Sequence, residues 1–157
     1  IGRLLIPLVL FHANHLSKPI LYISGYMEAN RDEYIAMLHD VDESGRLEPW
    51  LRFFFRSVAA QLTETQQLVE RIYELYDTIK TTFASSKSPY LMRFLDFIFK
   101  SPVFTVPMAR HETNIAADLT IKRLIRQLID AGFIEEMPVR FQRAKLYRFR
   151  KLLDLLN

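Results

Sequence analysis

The stretch 118–132, DLTIKRLIRQLIDAG, decides the fold of the C-terminal half of the chain. It contains Ile121, Leu124, Ile125 and Leu128 at intervals of three and one residues. This spacing places all four on one face of an α-helix, and Gly132 follows where a glycine commonly ends such a helix. We therefore predict a helix that begins at about residue 118 and buries this face.

Two shorter helices are predicted before this one. Residues 90–99 have apolar side chains at helical spacing, and Pro107 is suited to the first turn of a helix that reaches about residue 113. Residues 101–107 connect the two helices as a short extended stretch. The C-terminal half therefore contains three predicted helices in succession.

A β-hairpin is predicted after the third helix. Residues 133–137 are strand-like, residues 138–144 have the composition of a polar turn, and residues 146–149 predict a returning strand. Three helices followed by a small β-hairpin predict a winged helix-turn-helix domain.

The N-terminal half is predicted to be helical as well. Apolar residues indicate a helix near 4–16 that contains Pro7, and helices between 22 and 38 that are divided near Asn30. Residues 50–84 contain neither glycine nor proline and form a long connecting helix. Its apolar stripe has spacings of four and three residues and comprises Leu51, Phe55, Val58, Leu62, Thr65, Val69, Ile72, Tyr76, Ile79 and Phe83. We favour burial of the stripe within the chain over a coiled coil or a homodimer contact.

Charge divides the chain into two modules. Residues 1–88 hold 9 basic and 11 acidic residues, whereas residues 89–157 hold 12 basic and 7 acidic ones. The segment ASSKSP at 84–89 has the composition of a linker. We therefore predict two domains, 1–88 and 89–157, in a mainly α fold.

Composition excludes several classes of site. The chain has no cysteine, which excludes disulfides and thiolate-bound metals. His12 and His15 have no third ligand at a suitable spacing, so we expect no metal site. The apolar run at 4–11 is eight residues long, whereas about 20 residues span a bilayer. We expect no membrane contact and a cytoplasmic location.

The opening IGRLLIPLVLF resembles the end of the Fic signature, H-x-F-x-[DE]-G-N-G-R-x-x-R, and the apolar helix after it. The match continues through LSKPILYISGYMEANRDEYIAML and GRLEPWLRFFFRSVAAQ, which resemble the helices after this motif in bacterial Fic proteins. From Ser88 onward, the helix-turn-helix pattern and LIDAGFIEE resemble the winged helix that such proteins often carry at the C-terminus. The chain thus resembles the C-terminal part of a Fic protein.

This resemblance implies that the parent protein transfers AMP from ATP, with Mg²⁺, to a hydroxyl side chain of a target protein. Arg3 matches the last arginine of the motif, which contacts ATP phosphates in the family, and Tyr34 lies where family members border the adenine. The motif from its histidine to its first arginine does not occur in this sequence. We therefore expect the chain to be a fragment that neither transfers AMP nor binds ATP and Mg²⁺.

The alternative hypothesis is a winged-helix transcriptional regulator whose N-terminal helices form a dimerisation region. The third helix would then enter the major groove with Lys122, Arg123 and Arg126. The wing would contact phosphates through Arg140, Arg143 and Lys145. Asp118, Glu135 and Glu136 are carboxylates that oppose such a contact. Winged helices also bind proteins, so the fold alone does not establish DNA binding.

Overall fold

The computed structural model describes residues 2–18, 23–84, 86 and 88–156, with side chains from Leu5 onward in these ranges. The protein is mainly helical and has a small antiparallel sheet of three strands. Its contacts divide it into two compact units, Ile1–Gln67 and Leu68–Asn157. This division lies within a long helix, whereas the change in composition that defines the predicted domains lies at residues 88 and 89.

The N-terminal unit consists of helices. They are α1 (Gly2–His12), α2 (Ser24–Ala29), α3 (Arg31–Ser44) and the first part of α4 (Glu48–Thr82). The predicted break near Asn30 is confirmed, and the amide of its side chain donates to the carbonyl of Tyr26 at 2.9 Å. Gly45 ends α3 with a φ of 70°, a conformation that glycine adopts without steric cost.

The core of the N-terminal unit is small. Among the described residues, its buried apolar side chains are Ile23, Met27 and Phe53. Phe53 and Ser57 lie one turn apart on the buried face of α4, which is rotated away from the predicted apolar stripe. The stripe is therefore exposed in the upper part of α4, at Leu51, Phe55, Leu62 and Val69.

The prediction that the whole stripe is buried within the chain is consequently wrong for most of the N-terminal part of α4, where only Val58 of the described stripe residues packs against the core. In the lower part, Ile79 is fully buried, and Ile72, Tyr76 and Phe83 pack against the core of the C-terminal unit. The prediction is confirmed there. One helix thus has a covered and an uncovered portion of the same stripe.

The C-terminal unit continues with four helices and the sheet. Its helices are α5 (Leu91–Lys100), α6 (Val106–Thr113), α7 (Asp118–Asp130) and α8 (Arg150–Leu156). Its strands are β1 (Val103–Thr105), β2 (Glu135–Phe141) and β3 (Ala144–Arg148), in the order β1-β3-β2 with both pairings antiparallel.

Three features of this unit differ from the sequence-based prediction. The extended stretch at 101–107 contributes a third strand, because Phe104 pairs with Tyr147 of β3. Residues 150–156 form α8, which was not predicted. The hairpin turn is also shorter than predicted: it is formed by Gln142 and Arg143, and Arg140 lies within β2. Pro138 is tolerated in β2 because the pairing is irregular between Glu136 and Arg140.

Aromatic rings fill the centre of the C-terminal unit. The ring centroid of Phe104 lies 5.9 Å from that of Phe94 and 5.8 Å from that of Tyr147. The apolar faces predicted for α5 and α7 are buried against this cluster, which confirms the helical periodicity: Leu91, Phe94, Leu95, Ile98, Ile121, Leu124, Ile125 and Leu128. Burial of one face of α7 determines which of its residues face solvent.

Candidate nucleic-acid interface

The position at which α6 begins and ends determines where α7 can begin. The Thr105 hydroxyl caps α6 by accepting from the N–H of Met108 at 3.4 Å, and Pro107 lies in the first turn of α6. Asn114, with a φ of 52°, ends α6, and α7 begins four residues later at Asp118. A short connection, residues 114–117, therefore joins α6 to α7.

The exposed face of α7 is basic, as predicted. Lys122, Arg123 and Arg126 are all exposed, one turn or less apart. In the described part of the chain, none of the three forms an ion pair with a carboxylate. Their charges are therefore available to a ligand.

Leu119 lies on the same face and was missed in the sequence reasoning. Its side chain is 79% exposed, more than any other large apolar side chain in the described residues. Lys122 and Arg123 follow it by three and four residues, so the three side chains are neighbours on the helix surface. The sequence could have shown this exposure, because Leu119 lies outside the spacing of buried apolar residues that begins at Ile121.

The hairpin of β2 and β3 presents two further free cations. Arg140 and Arg143 are exposed and have no carboxylate partner among the described residues. Arg143 occupies the turn with a φ of 66°, and Gln142 before it has a φ of 50°. Arg140 lies directly across from Lys145, and such facing like charges destabilise a strand pair.

Lys145 differs from the other predicted DNA contacts because it is paired. Its Nζ donates to Glu136 Oε2 at 3.0 Å and lies 2.9 Å from Glu136 Oε1, and the hydrogen bond to Glu136 raises the pKa of Lys145. Burial raises the pKa of Tyr147, and the charge of Glu136 acts in the same direction. The charges of Lys145 and Glu136 thus compensate each other within the hairpin.

The other carboxylates predicted to oppose DNA are also paired. Asp118 lies 3.3 Å from a guanidinium nitrogen of Arg110. Glu135 pairs with Arg148 and lies 3.9 Å from Arg150. Each of the three predicted opposing acids thus has a cation beside it, and these internal pairs leave the five unpaired cations of α7 and the hairpin as the local excess of charge.

A groove of about 500 Å³ separates α7 from the hairpin. It is lined by Lys122 and Arg126 on the helix and by Glu136, Lys145 and Tyr147 on the strands. Asp130 also borders it. Because its charges have both signs, the groove is less suited to an anion than the outer faces of α7 and the turn.

The two residues assigned to nucleotide binding by resemblance lie in the N-terminal unit. Arg3 belongs to α1, but its side chain is outside the described residues. Tyr34 is half-buried in α3 and packs on Phe53, with 6.1 Å between ring centroids. Its ring therefore has a structural role in the small core of this unit.

No group of three or more histidine, aspartate or glutamate side chains in the described ranges is arranged to hold a metal ion. Among the described helices, none has the length and apolarity that crossing a membrane requires. No protein-family model matches the chain.

Proposed function

We propose that this chain is the C-terminal part of a Fic-type enzyme that transfers AMP from ATP to hydroxyl side chains of a target protein. The resemblance of residues 1–61 to the Fic motif end and the helices after it carries the proposal. The structure supports it through the N-terminal unit, whose apolar side chains remain largely uncovered. Leu8, Val9, Phe55 and Leu62 are all more than half exposed, as expected where the rest of a Fic core packs.

In this proposal, most of the site for ATP and Mg²⁺ lies outside this chain. The described residues contain no cluster of potential metal ligands, and the sequence lacks the phosphate-binding turn of the motif. The chemistry would therefore belong to the longer enzyme, to which this chain contributes Arg3. A guanidinium offers a planar fork of donors that suits phosphate oxygens.

Two measurements test this proposal. Calorimetry of the chain with Mg-ATP should give no saturable binding below about 1 mM, a level that corresponds to about 4 kcal/mol. The protein encoded together with its upstream sequence should transfer labelled AMP, and Arg3→Ala should lower that rate by about 10–100-fold because it removes charged hydrogen bonds. An upstream sequence without the Gly-Asn-Gly-Arg segment directly before Ile1 would contradict the Fic assignment.

We further infer that the C-terminal unit is a winged helix that binds duplex nucleic acid. The observation that carries this second function is the distribution of ion pairs. Asp118, Glu135 and Glu136 are each neutralised within the protein. Within residues 89–157, five of the cations that form no ion pair in the described part of the chain lie on α7 and the hairpin, and three lie elsewhere. The five are Lys122, Arg123, Arg126, Arg140 and Arg143, and the other three are Arg93, Lys100 and Lys151.

In the proposed complex, α7 and the hairpin would contact two different parts of a duplex, the major groove and the phosphate backbone. An α-helix enters the major groove, so α7 would face the bases, while the hairpin would lie along the phosphates of the backbone. Arg140 and Arg143 would neutralise phosphates, and a phosphate between Arg140 and Lys145 would relieve the repulsion of these facing charges. This geometry requires no dimer.

Fluorescence anisotropy with a labelled duplex of mixed sequence tests this function at low salt. The double variant R140A/R143A should weaken binding to unrelated duplexes about equally, because phosphate contacts carry no sequence information. The variant R31A/R52A removes two exposed cations from the N-terminal unit and should leave binding unchanged. Equal weakening by both double variants would indicate attraction to net charge and would contradict an interface on the hairpin.

A further inference from the structure

The exposed face of α7 combines charge with one apolar side chain. Leu119 is 79% exposed in the first turn of α7, although the sequence places it among residues that are charged or polar on this face. Solitary apolar residues on a surface are common and have no meaning by themselves. Here, however, Leu119 lies one turn before Lys122 and Arg123, the charged side chains that the proposed interface would direct at a duplex.

Its position relative to DNA follows from the geometry of a helix in the major groove. The N-terminal residues of such a helix lie nearest the base edges. Asp118, next to Leu119, is held by Arg110 at 3.3 Å and so presents a neutralised carboxylate. Lys122 and Arg123 lie one turn further along and can reach phosphates or guanine. If α7 lies in a major groove, Leu119 would thus be the exposed residue of its first turn that faces the bases without a hydrogen-bonding group.

We propose that Leu119 packs on the 5-methyl group of thymine and gives the protein a preference for thymine-containing duplexes. The inference rests on the proposed DNA binding of the C-terminal unit. The thymine methyl is the apolar group that a base pair displays in the major groove, whereas the other edge positions are donors or acceptors. A leucine side chain gains free energy when it and this methyl leave water together, and it gains nothing from a bare hydrogen-bonding edge.

The experiment compares two duplexes of identical sequence, one with thymidine and one with deoxyuridine at every thymidine position. Deoxyuridine removes the methyl and keeps the pairing. Burial of one methyl predicts that the wild-type chain binds the thymidine duplex about fourfold more tightly. Leu119→Ala should bind both duplexes alike. Leu62→Ala, which truncates a leucine that is 52% exposed in the N-terminal unit, should retain the preference.

The outcomes separate this inference from the function on which it rests. Equal binding of both duplexes by the wild-type chain, or a preference that persists in L119A, overturns the role of Leu119 and leaves DNA binding intact. Binding to neither duplex overturns the proposed DNA binding together with this inference. Because Leu119 is exposed, L119A should fold, and an unchanged urea midpoint verifies this.

Discussion

The hairpin turn allows a direct test of whether a charged residue at the proposed interface lowers the folding stability of the chain. Gln142 and Arg143 both have positive φ, 50° and 66°, as a two-residue type I′ turn requires. This conformation costs a residue with a Cβ about 1–2 kcal/mol. Arg143→Gly removes that cost at one position but raises the entropy of the unfolded chain, which offsets about 0.5–1 kcal/mol. The net expectation is a gain of about 0.5–1 kcal/mol in the free energy of unfolding.

Urea unfolding followed by circular dichroism measures this gain, and duplex titration of the same samples measures binding. R143G should be more stable than the wild type and bind DNA more weakly. R143K is the matched control, because it keeps both the charge and the strained backbone. Its stability and binding should stay close to those of the wild type. A stability of R143G equal to or below that of R143K would refute the reasoning, since the turn would then carry no strain that glycine relieves.

Three further predictions concern other parts of the chain. Ile79→Ala should cost about 2–5 kcal/mol in urea unfolding because Ile79 is fully buried, whereas Leu62→Ala should cost less than about 1 kcal/mol; equal costs would mean that the upper stripe of α4 is covered in solution. Burial raises the pKa values of Tyr76 and Tyr147 above 10.0, so the neutral phenols favour the folded state. The contribution of these two phenols to the free energy of unfolding should therefore be fully present below about pH 10 and be lost as the pH rises further. A fall in stability of equal size in Y76F/Y147F would contradict this. Glu136→Gln frees Lys145 from its ion pair and should tighten duplex binding by up to about fivefold at low salt; unchanged or weaker binding in anisotropy would show that Lys145 lies away from the DNA.

The sequence was sufficient to predict α5 and α7 because burial imposes their spacing, whereas α8 was not predicted. The buried faces of α5 and α7 follow directly from apolar residues three and four apart, as at Ile121, Leu124 and Leu128. Periodicity does not reveal what covers a face. The stripe of α4 has the same spacing at Leu62 and at Ile79, yet one side chain is exposed and the other is fully buried.

The rest depends on contacts between residues far apart in the sequence. The third strand arises because Phe104 pairs with Tyr147, which local composition does not indicate. The basic residues of the candidate interface were predicted from their positions on α7 and the hairpin. Which of them are paired was not, because Lys145 meets Glu136 only through the register of β2 and β3. Because Asp118, Glu135 and Glu136 are paired within the protein, they oppose contact with DNA less than the sequence alone indicates.

The central claim, that α7 and the hairpin form an electrostatic interface for a duplex, is tested most directly by the salt dependence of binding. The affinity of the wild-type chain for a mixed-sequence duplex should lie near 10⁻⁴–10⁻⁶ M, about the range of non-specific binding. Each neutralised phosphate contributes about −0.9 to the slope of log K against log salt concentration, so two to four contacts predict a slope between about −2 and −4. R140A/R143A should make this slope shallower by about 2. No binding at about 100 µM protein in low salt, or a slope near zero, would contradict the account.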